Sequence, residues 1–332
     1  MNTTLLNIFD KDTFQRFKLI RDLIPKYSMI KFDLSIKNNI QNIKNNYIEY
    51  KPKYDVIYET LKFEDSDFID KVLSDEFKKF NKYIQIKESN IDIKISHSII
   101  SEKLIYKIYN IVKLYQKLYG EKNIKLHIAL CSHKRMISTK IIGTVNVNGG
   151  QTDGKIIELF RREEIIKVIC HELIHFYKLD CRNIDNHQDK ILDDFKIVQN
   201  NIPLSIAEAF TEYLACIHHI ALISLYTKAS PELIYHYEKI WSLYQICKIL
   251  KHYNMKKFED LYENKFIQGT NVFSYYILKF FLLWKLDNKC NYKNVIDILN
   301  DQDIIKIINE LLNSNQKFDK NLRMTLFELK YF

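Results

Sequence analysis

The feature that most constrains this 332-residue chain is a stretch, residues 161–179, that contains neither Gly nor Pro. Its apolar residues recur as they do in a buried helix, and two acidic residues stand near its start, where the helix dipole favours them. The middle of the stretch reads His171, Glu172, Leu173, Ile174, His175, the pattern HExxH. Because residues four apart lie about one turn apart on one face, both imidazoles can reach one metal ion.

The acidic residue inside this pattern has a chemical use of its own. Glu172 lies close enough to touch a water held by the same metal and to accept its proton. Buried imidazoles need polar partners, and a metal ion accounts for both histidines and for the acid between them. The alternative is an ordinary core helix whose two histidines are hydrogen-bonded. The sequence around the motif favours the metal site.

A catalytic zinc ion usually takes three protein ligands and leaves its fourth position to water. The best source of a third ligand is residues 207–213, which begin a second apolar helix after two asparagines and Pro203, a helix-start signal. Glu208 and Glu212 lie one turn apart on this helix. Two acids on an otherwise apolar helix are costly unless a positive charge lies opposite them, and a metal ion would supply that charge.

HExxH on one helix, followed by a second helix with E-x-x-x-(D/E), resembles the gluzincin branch of zinc metallopeptidases. The resemblance implies that His171, His175 and Glu208 bind one Zn²⁺ per chain and that Glu172 is the catalytic base. It also implies that Glu212 supports a histidine ligand from behind. The segments HELIHFY and EAFTEYLA are similar to those of uncharacterised metallopeptidase-like proteins of large DNA viruses.

A second zinc pattern, HExxHxxGxxH of the metzincins, would place Gly at position 178 and a ligand at position 181. This chain has Lys178 and Cys181 there. A lysine lets the helix continue, so that ligand geometry is lost, although Asp180 or Cys181 could bind the metal if the helix ended early. Otherwise Cys181 is an ordinary loop thiol and Asp180 a capping or supporting acid.

Periodicity upstream of the motif predicts a small sheet. Residues 91–95 and 124–130 alternate as strands, and residues 101–119 form an amphipathic helix between them. Residues 139–147 and 155–160 are two further strand candidates that flank a glycine-containing loop. Successive helices follow from about residue 200. The sequence therefore predicts an α+β, mostly helical fold, with a zincin-like catalytic domain made of a small mixed sheet, the HExxH helix and a helical lobe.

The predicted domain division follows from these patterns. Residues 91–332 form the catalytic domain, with the sheet and HExxH helix in 91–180 and the helical lobe in 200–332. Residues 1–90 carry helical patterns without a chemical motif. This N-terminal helical region is interpreted as a separate domain, a cover over the cleft or an inhibitory segment, and the sequence does not separate these.

In zincins an edge strand of the sheet binds substrate backbone in extended form, so the resemblance places Thr144, Asn146 and Asn148 along the substrate cleft. A plain hairpin with no substrate role is an equally good interpretation, since strand register cannot be derived from one sequence.

The family also places a Tyr or His of the helical lobe so that it donates a proton to the oxyanion. Tyr276 is the preferred candidate, because it stands in the polar and aromatic opening of an otherwise apolar helix at 271–286. Tyr275 and His219 are alternatives, and for any one of the three the sequence favours packing or hydrogen bonding in the core over the catalytic role.

Composition narrows the partners and the cellular setting. The net charge is +9, but the lysines are spread along the chain without a compact basic run, so nucleic acid is not the expected partner. An acidic protein or peptide fits the overall field better. Six cysteines without a CxxC pair predict a reducing compartment. The apolar stretches are too short or too interrupted to predict a membrane span, and no signal peptide is evident. These features predict an intracellular, cytoplasmic protein, or a virion protein if the chain is viral.

The expected function is zinc-dependent hydrolysis of peptide bonds, with Glu172 assisting the attack of a zinc-activated water. The alternative is a catalytically silent zincin-fold protein with a structural or host-interaction role. An intact Glu172 favours catalysis, because a purely structural metal site has no use for it.

Overall fold

A computed structural model of the chain describes residues 8–27, 33–64, 66, 69, 71–180, 182–199, 202–285 and 292–330. It is a mixed α and β protein in which helices make up about 52% of the residues, together with a small mixed sheet. The coarse class predicted from the sequence, mostly helical with a small mixed sheet, is therefore confirmed.

The sequence predicted a helical N-terminal part. Two of its segments are strands instead. Its elements are α1 (Lys11–Ile20), α2 (Leu34–Asn46), β1 (Asp55–Ile57), α3 (Lys71–Phe77) and β2 (Tyr83–Lys87). β1 pairs with β2, which has Ile84 and Ile86 buried. A boundary at residue 90 would cut between two paired strands of one sheet, since β2 also pairs with the strand at Ile91–Ser96.

The sheet continues through the elements on which the predicted strands fall. These are β3 (Ile91–Ser96), α4 (Glu102–Tyr119), β4 (Ile124–Ala129), α5 (Thr144–Val147), β5 (Gly150–Thr152) and β6 (Ile156–Leu159). The strand order is β1-β2-β3-β4-β6-β5, with β3, β4 and β6 parallel and β5 antiparallel at one edge. α4 begins where Ser101 accepts a hydrogen bond from the Leu104 N–H and ends at Gly120, whose φ of 94° suits glycine. The strand and helix predictions for 91–130 are confirmed.

The strand predicted at residues 139–147 is wrong. Its last four residues form the helical turn α5, and the strand that pairs with β6 lies inside the predicted loop. The Asn146 side chain explains the difference, because its oxygen accepts a hydrogen bond from the Gly143 N–H and its nitrogen donates to the Met136 carbonyl. A short amide side chain that bonds to nearby backbone competes with strand pairing.

The HExxH helix is α6 (Ile165–Phe176), and all of its residues except His175 are buried. It packs against β5 and β6 on one side and against a long apolar helix on the other. The sequence prediction of a deeply buried helix is confirmed, and its start at residue 165 follows the sharp turn at Glu164, where φ is 60°.

The rest of the chain is a helical lobe around that long helix. After a 3₁₀ turn (Arg182–His187), its elements are α7 (Gln188–Asp194), β7 (Ile197–Gln199), α8 (Ala207–Thr227), α9 (Pro231–His252), α10 (Asp260–Glu263), β8 (Phe266–Gln268), a π-helical segment (Phe273–Leu278), α11 (Lys279–Lys285), α12 (Tyr292–Leu299) and α13 (Gln302–Leu312). β7 and β8 form a separate parallel pair. Within the described residues, α8 alone is long and apolar enough to cross a bilayer, and 83% of its most apolar window is buried in the protein.

Candidate metal centre

The two histidines of α6 face each other at the contact between α6 and α8. The Nε2 atoms of His171 and His175 lie 3.1 Å apart, and their ring centroids are separated by 4.8 Å. This is the arrangement expected from two residues one turn apart on the same helix face. The side chains are nearly buried, so both imidazoles need polar partners within the protein.

The predicted third ligand comes from the first turn of α8. Glu208 Oε2 lies 3.3 Å from His171 Nε2, and Glu208 Oε1 lies 3.4 Å from His175 Nε2. Ligand atoms of the three residues lie within 4.8 Å of one another. The structure thus brings together the three residues that the sequence pattern singled out.

The other ring nitrogen of each histidine lies next to a carboxylate. His171 Nδ1 is 2.8 Å from Glu212 Oε1, and His175 Nδ1 is 2.8 Å from Asp180 Oδ2. Acids at Nδ1 leave Nε2 of each ring as the free electron-pair donor that faces a metal. Glu212 therefore stands where a supporting acid is expected. Of the three roles left open for Asp180, its position at Nδ1 of His175 fits the supporting acid, and Cys181 lies outside the described residues.

These side chains fit a zinc ion. Bonds of about 2.0–2.1 Å to a tetrahedral zinc place neighbouring ligand atoms about 3.3 Å apart, close to the separations between the histidine nitrogens and Glu208. Glu208 Oε2 is buried, yet it makes no hydrogen bond to any residue that the structure describes. A buried carboxylate oxygen without a hydrogen bond is costly, and a cation would satisfy it. Two imidazoles and one carboxylate are also a donor set that zinc commonly takes.

The charges of the site reinforce one another. Burial by itself lowers the pKa of His175, but the charge of Glu208 and the hydrogen bond to Asp180 outweigh burial and raise that pKa to about 11. The pKa of His171 is also raised, because the neighbouring carboxylates of Glu208 and Glu212 outweigh the effect of burial. Burial raises the pKa of Glu208, but the histidines outweigh it and the pKa is lowered. Without metal, protons on the histidines balance the acids, so a metal ion must displace them.

Glu172, the predicted base, points toward the edge strand of the sheet. A Cβ atom at Gly150, the first residue of β5, would lie 2.8 Å from Glu172 Oε1, so only glycine fits beside this carboxylate. Burial raises the pKa of Glu172, the histidines oppose this, and the charges of Glu208 and Glu212 add to it. An upward shift suits a general base, whose ideal pKa is close to the working pH.

The residues predicted along the cleft do not form its edge strand. Thr144 and Asn146 belong to the turn α5, and the Asn146 side chain is committed to backbone groups of its own loop. The Asn148 side-chain oxygen accepts a hydrogen bond from the Thr270 hydroxyl. The edge strand beside the metal centre is β5, which lies a few residues later in the chain than the strand predicted at 139–147.

The tyrosine beside His171 is Tyr275, one residue before Tyr276, which the sequence analysis preferred. The Tyr276 hydroxyl donates to the backbone carbonyl of Leu322, which makes Tyr276 a core residue. The ring centroid of Tyr275 lies 6.3 Å from that of His171. Burial, followed by the charge of Glu208, raises the pKa of Tyr275 well above its usual value, so its hydroxyl stays protonated. His219 lies 3.3 Å from the Thr325 hydroxyl and outside the metal cluster.

Two buried cations near the site were not predicted from the sequence. The Lys167 ammonium contacts both carboxylate oxygens of Glu212, and the Arg135 guanidinium pairs with Glu164 at 2.9 Å. Lys167 could have been identified from the sequence, because it is a lysine inside an otherwise apolar helix. Nothing local to Arg135 indicated that it would lie under Gly149, where a Cβ atom would be 2.2 Å from its Nη2.

The first turn of α8, which carries Glu208, is held by side chains from elsewhere in the chain. Asp185 Oδ1 accepts a hydrogen bond from the Ala207 N–H at 2.9 Å, and Asp185 Oδ2 accepts one from the Ser205 hydroxyl at 2.7 Å. Helix starts need such acceptors because their first N–H groups have no partner within the helix. Asp185 thereby fixes where the third ligand stands.

Access to the site is narrow. A cavity of about 30 Å³ lies beside Glu172 and His171, lined on its other sides by Gly150, Tyr275 and Met324 among others. That volume holds roughly two water molecules. A peptide would have to widen this cavity or approach along β5.

Comparison with known proteins gives one informative similarity. The chain is 26% identical over 223 residues to an uncharacterised protein of Acanthamoeba polyphaga mimivirus, a match that covers 57% of this chain and 55% of that protein. The match thus spans about half the length of that relative. No family model matches the chain, and no solved structure matches it. The chain is therefore similar to a giant-virus protein of unassigned activity.

Proposed function

We propose that this protein is a zinc-dependent metallopeptidase of the gluzincin type. The observation that carries the proposal is the convergence of His171, His175 and Glu208, with the Nδ1 atom of each histidine next to an acid and Glu172 alongside. A site that only held metal for stability would not need a buried fourth carboxylate with a raised pKa.

Each side chain has a role in peptide hydrolysis. His171, His175 and Glu208 would hold one Zn²⁺, and the bound ion would supply Lewis-acid chemistry and an activated water. Glu172 accepts the proton of the attacking water and later passes it to the leaving amine. The protonated Tyr275 hydroxyl donates to the carbonyl oxygen as negative charge develops there.

The substrate would be a protein or peptide bound in extended form. β5 lies at the sheet edge next to Glu172, and such an edge offers backbone N–H and C=O groups to an added strand. Gly150 lets β5 itself lie against Glu172, so a strand added to this edge would run close to that carboxylate. The net charge of +9 favours acidic segments among such substrates through long-range attraction.

The test begins with zinc content by mass spectrometry of purified protein, followed by a peptide-library cleavage assay with and without chelator. Glu172→Gln should keep one zinc per chain and lower the turnover number by about 10²–10⁴, the usual contribution of a general base. Retained turnover in this variant would refute the assigned base. Zinc-free protein that cleaves peptides would refute the metal.

One observation favours a second candidate, a catalytically silent zincin-fold protein with a structural or host-interaction role. The cavity of about 30 Å³ beside Glu172 holds roughly two water molecules, so a peptide could reach this carboxylate only if the cavity walls moved. Under this alternative the protein binds zinc with full stoichiometry, yet the library shows no cleavage and Glu172→Gln changes nothing measurable.

An intracellular or virion setting belongs to the same proposal. Cys131, Cys170, Cys216 and Cys247 are buried free thiols, which suits a reducing compartment. The similarity to a mimivirus protein favours a viral source.

A further inference from the structure

Lys167 is a buried charge that peptide hydrolysis, as described above, does not use. It lies one helical turn before His171 on α6, and only 2% of it is exposed. Its ammonium contacts both oxygens of the Glu212 carboxylate. Because residues four apart on a helix share a face, Lys167 and His171 both point at α8.

The contact between α6 and α8 therefore consists of two facing pairs. His171 Nε2 lies 3.3 Å from Glu208, and Lys167 contacts Glu212, which is one turn further along α8. Glu212 Oε1 also lies 2.8 Å from His171 Nδ1. Glu212 is thus held from two sides, by a cation and by the imidazole that it orients.

The energetics make the lysine necessary for this arrangement. Only 3% of the Glu212 side chain is exposed, and an ionised carboxylate removed from water costs several kcal/mol unless it is paired. Without Lys167, this carboxylate would lose the cation that contacts both of its oxygens. A buried carboxylate without that contact turns toward another partner and no longer lies against Nδ1 of His171.

Lys167 is directed at Glu212 rather than at other acceptors. Among the residues that the structure describes, its other hydrogen-bond partner is the Met324 thioether sulfur at 3.4 Å, which is a weak acceptor. The strong contact of this lysine is therefore the one that supports the metal centre.

We propose that Lys167 is a positioning residue of the metal centre, which holds Glu212 in place so that Glu212 can orient His171 toward the ion. The inference rests on the proposed zinc site and adds to it the residue that keeps its supporting acid aligned. Removing groups that support a metal ligand typically weakens metal binding about 10–100-fold, and a residue one step further away should act at the lower end of that range.

The experiment compares Lys167→Met, Lys167→Arg and a matched control, Lys248→Met. Lys248 is an equally buried lysine that pairs with Asp319 and takes no part in the metal cluster. Zinc affinity is measured by competition with a chromophoric chelator. The visible absorption of the Co²⁺-loaded protein reports ligand geometry, and circular dichroism reports folding.

We expect Lys167→Met to weaken zinc binding about tenfold and to change the Co²⁺ spectrum, while Lys167→Arg restores most of both because it keeps the charge. Lys248→Met should lose stability and keep the wild-type affinity and spectrum. A merely structural role for Lys167 predicts that its Met variant behaves like the Lys248 control, and that result would overturn the inference.

Two further outcomes are also decisive. If Lys167→Met does not fold, Lys167→Gln keeps a donor without the charge, and an unchanged zinc affinity and Co²⁺ spectrum in that variant would overturn the inference. A wild-type protein without affinity for zinc would instead overturn the proposed function, and this inference with it. If the wild-type protein binds zinc and Lys167→Met keeps the same zinc affinity and Co²⁺ spectrum, the inference is overturned and the proposed function is not.

Discussion

Two clusters of charged side chains are buried in the same core, and they differ in charge balance. At the metal centre, the acids Glu172, Glu208, Glu212 and Asp180 face Lys167 and the two histidines. In the second cluster, called here the arginine cluster, three guanidinium groups and four carboxylates pair with one another; its members are Asp10, Arg16, Arg135, Glu163, Glu164, Arg323 and Glu328.

The difference is the one expected between a cation site and a cluster whose charges pair with one another. The arginine cluster nearly neutralises itself, and Arg323 alone contacts Asp10, Glu163 and Glu328. When its histidines are neutral, as metal ligands must be, the candidate metal centre has four acids against Lys167 alone. Buried charge of one sign is expensive, so an excess of it marks a place where a cation belongs.

The largest expected effect comes from breaking the arginine cluster. Arg323→Met should destabilise the protein by up to about 5 kcal/mol, because it leaves buried carboxylates without their partner. Chemical denaturation measures this loss. Zinc affinity should stay at the wild-type value, and a parallel loss of zinc binding would show that the two clusters are not independent.

Adding zinc should stabilise the protein by a similar amount, but only by binding at the metal centre. At a free zinc concentration of 1,000 times Kd, the free energy of unfolding should rise by about 4 kcal/mol. Glu208→Ala should abolish this gain, as measured by thermal unfolding with and without chelator. A gain that survives in Glu208→Ala would place the zinc elsewhere in the molecule.

A smaller effect distinguishes two adjacent tyrosines that face the two regions. Tyr275→Phe should lower kcat about 100-fold, the loss expected for one oxyanion donor, with zinc content unchanged. Tyr276→Phe removes a hydrogen bond to Leu322, next to the arginine cluster, and should cost about 1 kcal/mol of stability with kcat unchanged. Steady-state kinetics on both variants would expose a reversed assignment.

The parts of the site that depend on helical spacing were predictable from the sequence. His171 and His175 on α6, and Glu208 and Glu212 on α8, lie one turn apart because the α-helix repeats every 3.6 residues. The strands at 91–95 and 124–130 followed from the alternation of apolar residues in the same way. The coarse class of the fold was confirmed, whereas the zincin assignment and the domain division stay predictions.

The errors occurred where local pattern is a poor guide. Residues 139–147 were predicted as a strand, yet the Asn146 amide bonds to its own loop, and Gly150 of the predicted loop became the first residue of the edge strand β5. Tyr275, and not Tyr276, lies beside His171, because the segment Phe273–Leu278 is π-helical and its wider turn changes which side chain faces that ring.

The sequence by itself determined which side chains can share a metal ion, since residues one turn apart on a helix meet whatever surrounds them. Only the tertiary structure decided that α6 and α8 lie side by side, that Lys167 stands behind Glu212, and that Asp180 supports His175. These contacts join residues from different elements or across a helix end. Their partners are selected by the packing of the whole core, which no local repeat in the chain encodes.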